Sequence, residues 1–134
     1  MNKIITSGKR KTAVARAIIA EGTGKVKINE KPHDILNRFD TLKIEEPLRI
    51  AENILGKNNF DVSISVRGGG EKSQIEASRL ALARAIVAFT KSKEVEKAFI
   101  EYDRNLLVAD VRRKEASKPN RHGQARAKRQ KSYR

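Results

Sequence analysis

The residues able to do chemistry in this chain are mostly cations, 30 Lys and Arg against 16 Asp and Glu. Lys9-Arg10-Lys11 and Arg16 place four of them within eight residues. A denser set runs from Arg112-Arg113-Lys114 through Lys118, Arg121, Arg126, Lys128-Arg129 and Lys131 to Arg134. The 23 residues from Arg112 to Arg134 hold ten Lys/Arg and the single acid Glu115, supplying +9 of the formal +14. Cations at this spacing meet successive phosphates, so the chemistry on offer is ion pairing to a polyanion rather than bond making. Tyr133 adds a ring that can stack on a base. That segment has no aliphatic side chain larger than Ala, so it cannot build a core. Alone it is expected to be disordered, and to become ordered on RNA. Pro119 and Gly123 disfavour one continuous helix, and an extended trace of this length reaches roughly 75–80 Å. Such reach suits threading between RNA helices.

A second candidate lies at Arg67-Gly68-Gly69-Gly70-Glu71-Lys72-Ser73, between an alternating strand and a long helix. A nucleotide phosphate loop needs Gly directly before Lys-Ser, and here Glu71 puts a carboxylate where phosphate would lie. Two readings remain, and both can hold. The glycines make a tight turn that needs positive φ, or backbone amides approach an RNA phosphate at a helix N-terminus. On the second reading Arg67, Gly69, Gly70 and Lys72 join Lys9, Arg10, Lys11 and Arg16 as RNA contacts from the body.

Other chemistries lack support. His33 and His122 stand apart and Cys is absent, so neither a metal site nor thiol catalysis is expected. No Ser/His/Asp or paired-carboxylate arrangement rises above chance, and no cofactor is expected. No apolar run approaches the ~20 residues that span a bilayer, and Met1 to Thr6 lacks a secretory h-region. A pI near 10.4 leaves RNA, DNA and anionic lipid as partners. Lipid is the weakest, because the basic segment has no Trp, Phe or Leu with which to enter an interface.

These candidates need a scaffold, and the first 111 residues, with a net charge of +5, have ample aliphatic side chains for one. Ile4-Ile5, residues 13–20 and Lys25-Val26-Lys27-Ile28 read as strands, with Gly22-Thr23-Gly24 as a turn. Pro32 to Phe39 has room for a short helix. Ile44, Leu48, Ala51 and Leu55 form a helical stripe, with Glu45 and Glu46 early and Pro47 in the first turn. Phe60 to Arg67 alternates as a strand with one wet face. Ser73 to Thr90 is the longest helix, its stripe of Ile75, Leu82, Ile86 and Phe89 flanked by a ridge of Ala77, Ala81, Ala85 and Ala88. Such a face belongs against a sheet. Val95 to Tyr102 gives one more helix, and Leu106 to Ala109 a last strand. Together they predict an α+β, two-layer sandwich over 1–111, with 112–134 as an extended basic tail.

Several segments then carry a family resemblance. Gly8-Lys9-Arg10-Lys11-Thr12-Ala13-Val14-Ala15-Arg16 resembles the opening of the universal small-subunit ribosomal protein nine family. The likeness continues through Gly24 to Asn29, Glu46-Pro47-Leu48, and Val66-Arg67-Gly68-Gly69-Gly70 with Gln74. It ends with Leu106 to Arg113 and Gln130-Lys131-Ser132-Tyr133-Arg134. The Leu-Leu-Val-Ala-Asp segment and the Lys-Ser-Tyr-Arg ending are similar to the archaeal and eukaryotic branch. Bacterial relatives end Phe-Ser-Lys-Arg, so Tyr133 stands where they have Lys.

The resemblance implies a fold like the second domain of ribosomal protein five, with a left-handed βαβ crossover. It implies a structural, non-enzymatic role in the cytoplasmic ribosome, bound to small-subunit rRNA in the head beside neighbouring head proteins. It also implies that Lys131, Ser132, Tyr133 and Arg134 contact peptidyl-site tRNA. No homo-oligomer is expected. The rivals are a free RNA or DNA chaperone, and an enzyme on the same fold such as a ribonuclease P subunit or a small-molecule kinase.

Overall fold

A computed structural model describes residues 3–120 and 125–126. The element order is β1 (Ile4–Arg10), β2 (Ala13–Glu21), β3 (Val26–Ile28), β4 (Lys31–Pro32), a 3-10 turn (His33–Ile35), α1 (Arg38–Leu55), β5 (Phe60–Arg67), α2 (Glu71–Thr90), α3 (Lys93–Tyr102) and a second 3-10 turn (Arg104–Leu106). The strands form one sheet in the order β1-β2-β5-β3-β4. All neighbours are antiparallel except β3 and β5, which run parallel on either side of the α1 connection. Helices cover one face of the sheet, giving the expected α+β class in two layers.

Strict alternation builds the covered face. Ala13, Ala15, Ala17 and Ile19 of β2 and Phe60, Val62, Ile64 and Val66 of β5 are buried, while the residues between them face outward or are half-buried. α2 lies across β1, β2 and β5, and its alanines permit close approach. A Cβ added at Gly8 in β1 would sit 2.4 Å from the Ala77 carbonyl oxygen and 2.7 Å from the Ala81 nitrogen. Only hydrogen fits there, so the β1 glycine and the alanine ridge of α2 are two halves of one contact. α1 packs on α2, and α3 packs on both.

The structure departs from the sequence expectations at three places. α1 starts at Arg38, capped by Asn37, whose side chain accepts from the Asp40 amide. Pro47 therefore lies inside the helix, buried, rather than in its first turn, and Glu45 and Glu46 are mid-helix. Burial of Pro47 and its neighbours offsets the hydrogen bond that the ring removes. Pro32 to Phe39 divides between β4, a 3-10 turn and the start of α1. Leu106 to Ala109 is no strand: its carbonyls have no sheet edge to meet, and the Leu107 carbonyl accepts from Arg84 Nε at 3.0 Å instead. Leu106 is fully buried, so its hydrophobicity anchors a turn. From Val111 to Asn120 every residue is exposed and none belongs to a helix or strand.

Candidate nucleic-acid interface

The open face of the sheet gathers cations that lie far apart in sequence. Lys9 of β1 and Arg67 of β5 both pair with Val14 of β2, one from each side. Arg16, two residues further along β2, pairs with Ser7 and Ser65. Adjacent strands are about 4.8 Å apart, so Lys9, Arg16 and Arg67 occupy one patch on a single face. All three are exposed and, among the described residues, none has an ion-pair partner. Ser7 and Ser65 share the Arg16 row, Ser63 stands in the next row with Ile5 and Ile18, and all of these face outward. The acid on this side, Asp61, sits at the far end of β5. Its carboxylate accepts from the amides of Thr23, Gly24 and Lys25 at 2.9–3.1 Å. Those bonds, the Lys25 amide foremost, hold its pKa below the ordinary carboxylate value against the opposing effect of burial. The acid fastens the β2–β3 turn rather than neutralising the patch.

The glycine turn closes one end of this patch. Gly68 and Gly69 have φ of +76° and +65°. A Cβ on Gly68 would meet the Thr12 carbonyl at 2.7 Å, and one on Gly69 would meet Ala13 at 3.1 Å. Positive φ and close approach to the β1–β2 turn thus explain both glycines. Gly70 is different: it caps α2 with φ −91° and open space about its Cα. No side chain caps α2, and Gln74 Nε2 donates back to the Gly68 carbonyl.

Other predicted contacts are committed inside the protein. Arg10 points under the sheet, where Nε donates to Glu76 at 2.6 Å and a terminal nitrogen lies 3.6 Å from Asp110. Alternation already demands this, since Arg10 follows outward-facing Lys9. Lys72 donates at 3.0 Å to Asp40, a fully buried acid that needs the cation. Arg112 pairs with Asp110 at 2.7 Å, and Arg113 donates to the carbonyls of Asp110 and Arg112. The Arg112 bonds hold the Asp110 carboxyl well below the usual range. Lys118 and Arg126 both reach Glu115, at 3.5 and 3.0 Å, and depress its pKa, Arg126 more strongly. Lys11 and Lys114 remain without an ion pair among the described residues. Arg121, Lys128, Arg129, Lys131, Ser132, Tyr133 and Arg134 lie outside the described residues.

Sequence reasoning missed the acids and the structural arginines: Glu76, Asp40, Asp110, and Arg79, which joins Glu46 and Asp103. Apart from Arg112, two residues from Asp110, their partners sit on other elements, so no local spacing signals them. Among the described residues no helix is long and apolar enough to cross a membrane, and no group of His, Asp and Glu is arranged to hold a metal.

A helix-backed sheet with an open cationic face and a basic extension defines an α+β protein with a strongly cationic surface. The family model described as "Ribosomal protein S9/S16" matches residues 8–134, and the chain belongs to that family. The chain is similar over its whole length to "Small ribosomal subunit protein uS9" of Methanococcus vannielii, at 46% identity with 100% of both chains covered. It is 48% identical, with the same coverage, to the protein of that name in Methanococcus maripaludis strain C7. These relatives agree with the archaeal-type branch to which the Lys-Ser-Tyr-Arg ending is similar.

Proposed function

We propose that this protein is a structural constituent of the small ribosomal subunit. In this reading the body binds small-subunit rRNA in the head, through Lys9, Lys11, Arg16 and Arg67 and through the Gly69–Gly70 amides. Arg10, Lys72 and Arg112 contribute field while also holding the fold. The β3–α1–β5 crossover is taken as left-handed, as in the second domain of ribosomal protein five. Residues 112–134 run along rRNA, their cations neutralising phosphates, and Lys131, Ser132, Tyr133 and Arg134 meet peptidyl-site tRNA. The observation that carries the reading is the end-to-end likeness to small-subunit proteins. The patch of Lys9, Arg16 and Arg67, without an ion pair among the described residues, supplies a physical means.

The first test is co-sedimentation: the protein should travel with small subunits in a lysate gradient, and a free pool alone would contradict the reading. If the ten cations of the basic segment each meet a phosphate, log K should fall against log salt with a slope near about −7 on single-stranded RNA. A slope shallower than about −3 would count against a threaded segment. Deleting 131–134 should weaken peptidyl-site tRNA binding and leave subunit assembly intact.

A further inference from the structure

The acid Asp110 stands two residues before the Arg112-Arg113-Lys114 run, where a negative charge opposes binding to any polyanion. Its contacts give it a different purpose. The carboxylate accepts from the Arg112 amide at 3.0 Å and from the Arg112 side chain, Nε at 3.0 Å and a terminal nitrogen at 2.7 Å. It also lies 3.6 Å from Arg10, which Glu76 of α2 holds from the other side. The middle of this chain of charges is shielded, with the Arg10 and Asp110 side chains only 14% and 19% exposed, while Arg112 at its outer end is 78% exposed.

The approach to Asp110 is fixed as well. Leu106 is fully buried. Arg84 donates one nitrogen to the Leu107 carbonyl at 3.0 Å and another to the Ser7 carbonyl of β1 at 2.9 Å. The chain is therefore tied to the sheet just before Asp110 and again at it. Beyond the tie, Arg112, Arg113 and Lys114 are brought against Arg10, Lys11 and Thr12 of the β1–β2 turn, and these six residues line a cleft of about 680 Å³. Five of the six are cations and none is an acid. One terminal nitrogen of Arg10 is buried without a hydrogen-bond partner among the described residues. Lys11 is held in the left-handed region at φ +53°, which fixes the turn beneath its side chain.

We infer that Asp110 is the positioning residue of a phosphate-binding cleft: by joining Arg10 to Arg112 it docks the start of the basic segment on the β1–β2 turn, so that Lys11, Arg113 and Lys114 meet one stretch of RNA backbone. The inference rests on the reading of this chain as an RNA-binding protein and adds a boundary to it. The first residues of the basic segment belong to the folded body before any RNA arrives. An ordered cluster loses less side-chain entropy on binding than a free one, and that is the benefit of a local acid.

The test uses the full chain and Asp110→Asn. Removing a carboxylate raises the net charge and by electrostatics alone should tighten binding to a short labelled single-stranded RNA. The positioning role predicts the reverse, a loss of about fivefold with an unchanged salt slope, since no cation is removed. In the same variant without RNA, trypsin should cut after Arg112 and Arg113 faster than in the unaltered protein, read by mass spectrometry. Equal or tighter RNA binding overturns the proposal whatever the cleavage shows, and so does unchanged cleavage. Lys114→Gln, a side chain without an ion pair in the body, should lower the salt slope by about 0.7 with cleavage after Arg112 unchanged; an unaltered slope overturns the cleft even if the Asp110 variant fails to fold. Inorganic phosphate at matched ionic strength should not compete, and competition would make this an ion site rather than an RNA-backbone site. If the unaltered protein shows no salt-dependent RNA binding, the proposed function fails, while the cleavage rates still report on the docking.

Discussion

The two faces of the sheet are made by the same strands one residue out of step, and they use their residues for opposite ends. On the covered face, Gly8, Ala13, Ala15 and Ala17 are small because α2 must come close, and the arginines beneath the sheet are matched to acids. Arg10 has Glu76, and Arg79 of α2 has Glu46 and Asp103. On the open face, Lys9, Arg16 and Arg67 face solvent without ion-pair partners among the described residues, and Ser7 and Ser65 flank Arg16. Composition does not separate the two sets, since both are Lys and Arg. On the sheet, pairing does: a cation there with an acid in reach serves the fold, and one without is available to a phosphate.

The largest effect should come from spoiling the covered face. Gly8→Ala places a methyl group against the α2 backbone, and the strain should lower unfolding free energy by about 3 kcal/mol, measured by denaturant midpoint. Next is Arg79→Gln. Its side chain is 14% exposed and faces two acids, so its loss should cost about 1–3 kcal/mol while leaving the salt dependence of RNA binding unaltered. A changed salt slope in that variant would erase the distinction between paired and unpaired cations.

A smaller effect carries a pH signature. Asp61 has its pKa lowered by the Lys25, Thr23 and Gly24 amides, so the folded state binds this proton more weakly than the unfolded state does. Its contribution is present above the ordinary value of 3.8 and is lost as pH falls through the lower folded value. Asp61→Asn should therefore melt lower than the unaltered protein at neutral pH, and the gap should narrow in melts taken below pH 4. A gap that stays constant would mean that the carboxylate does not hold the β2–β3 turn.

Much of the scaffold was legible in sequence because its signals are local. The alternation of Phe60 to Arg67 and the stripe and alanine ridge of α2 each report one element facing one core. The start of α1 was misread because Pro47 resembles a first-turn proline, whereas the working cap is Asn37 with Asp40 three residues on. Leu106 to Ala109 has strand composition, but a strand also needs a neighbour, and the Arg84 side chain takes the carbonyl instead. The candidate site was legible as a set of cations and illegible as a geometry. Nothing near Arg10 in sequence foretells Glu76, and nothing near Lys72 foretells Asp40. Conversely, the meeting of Lys9, Arg16 and Arg67 follows only from strand register.

The smallest effect on the fold should be the most telling for recognition. Arg16→Gln with Arg67→Gln should change unfolding free energy by less than about 0.5 kcal/mol, since neither side chain has an ion pair among the described residues. The decisive measurement is the log–log salt dependence of RNA binding for this double variant beside Arg79→Gln. The double variant should show a slope shallower by about 1.4 at full stability, and Arg79→Gln an unchanged slope at reduced stability. Equal slopes in the double variant and the unaltered protein would contradict the assignment of the open face to RNA.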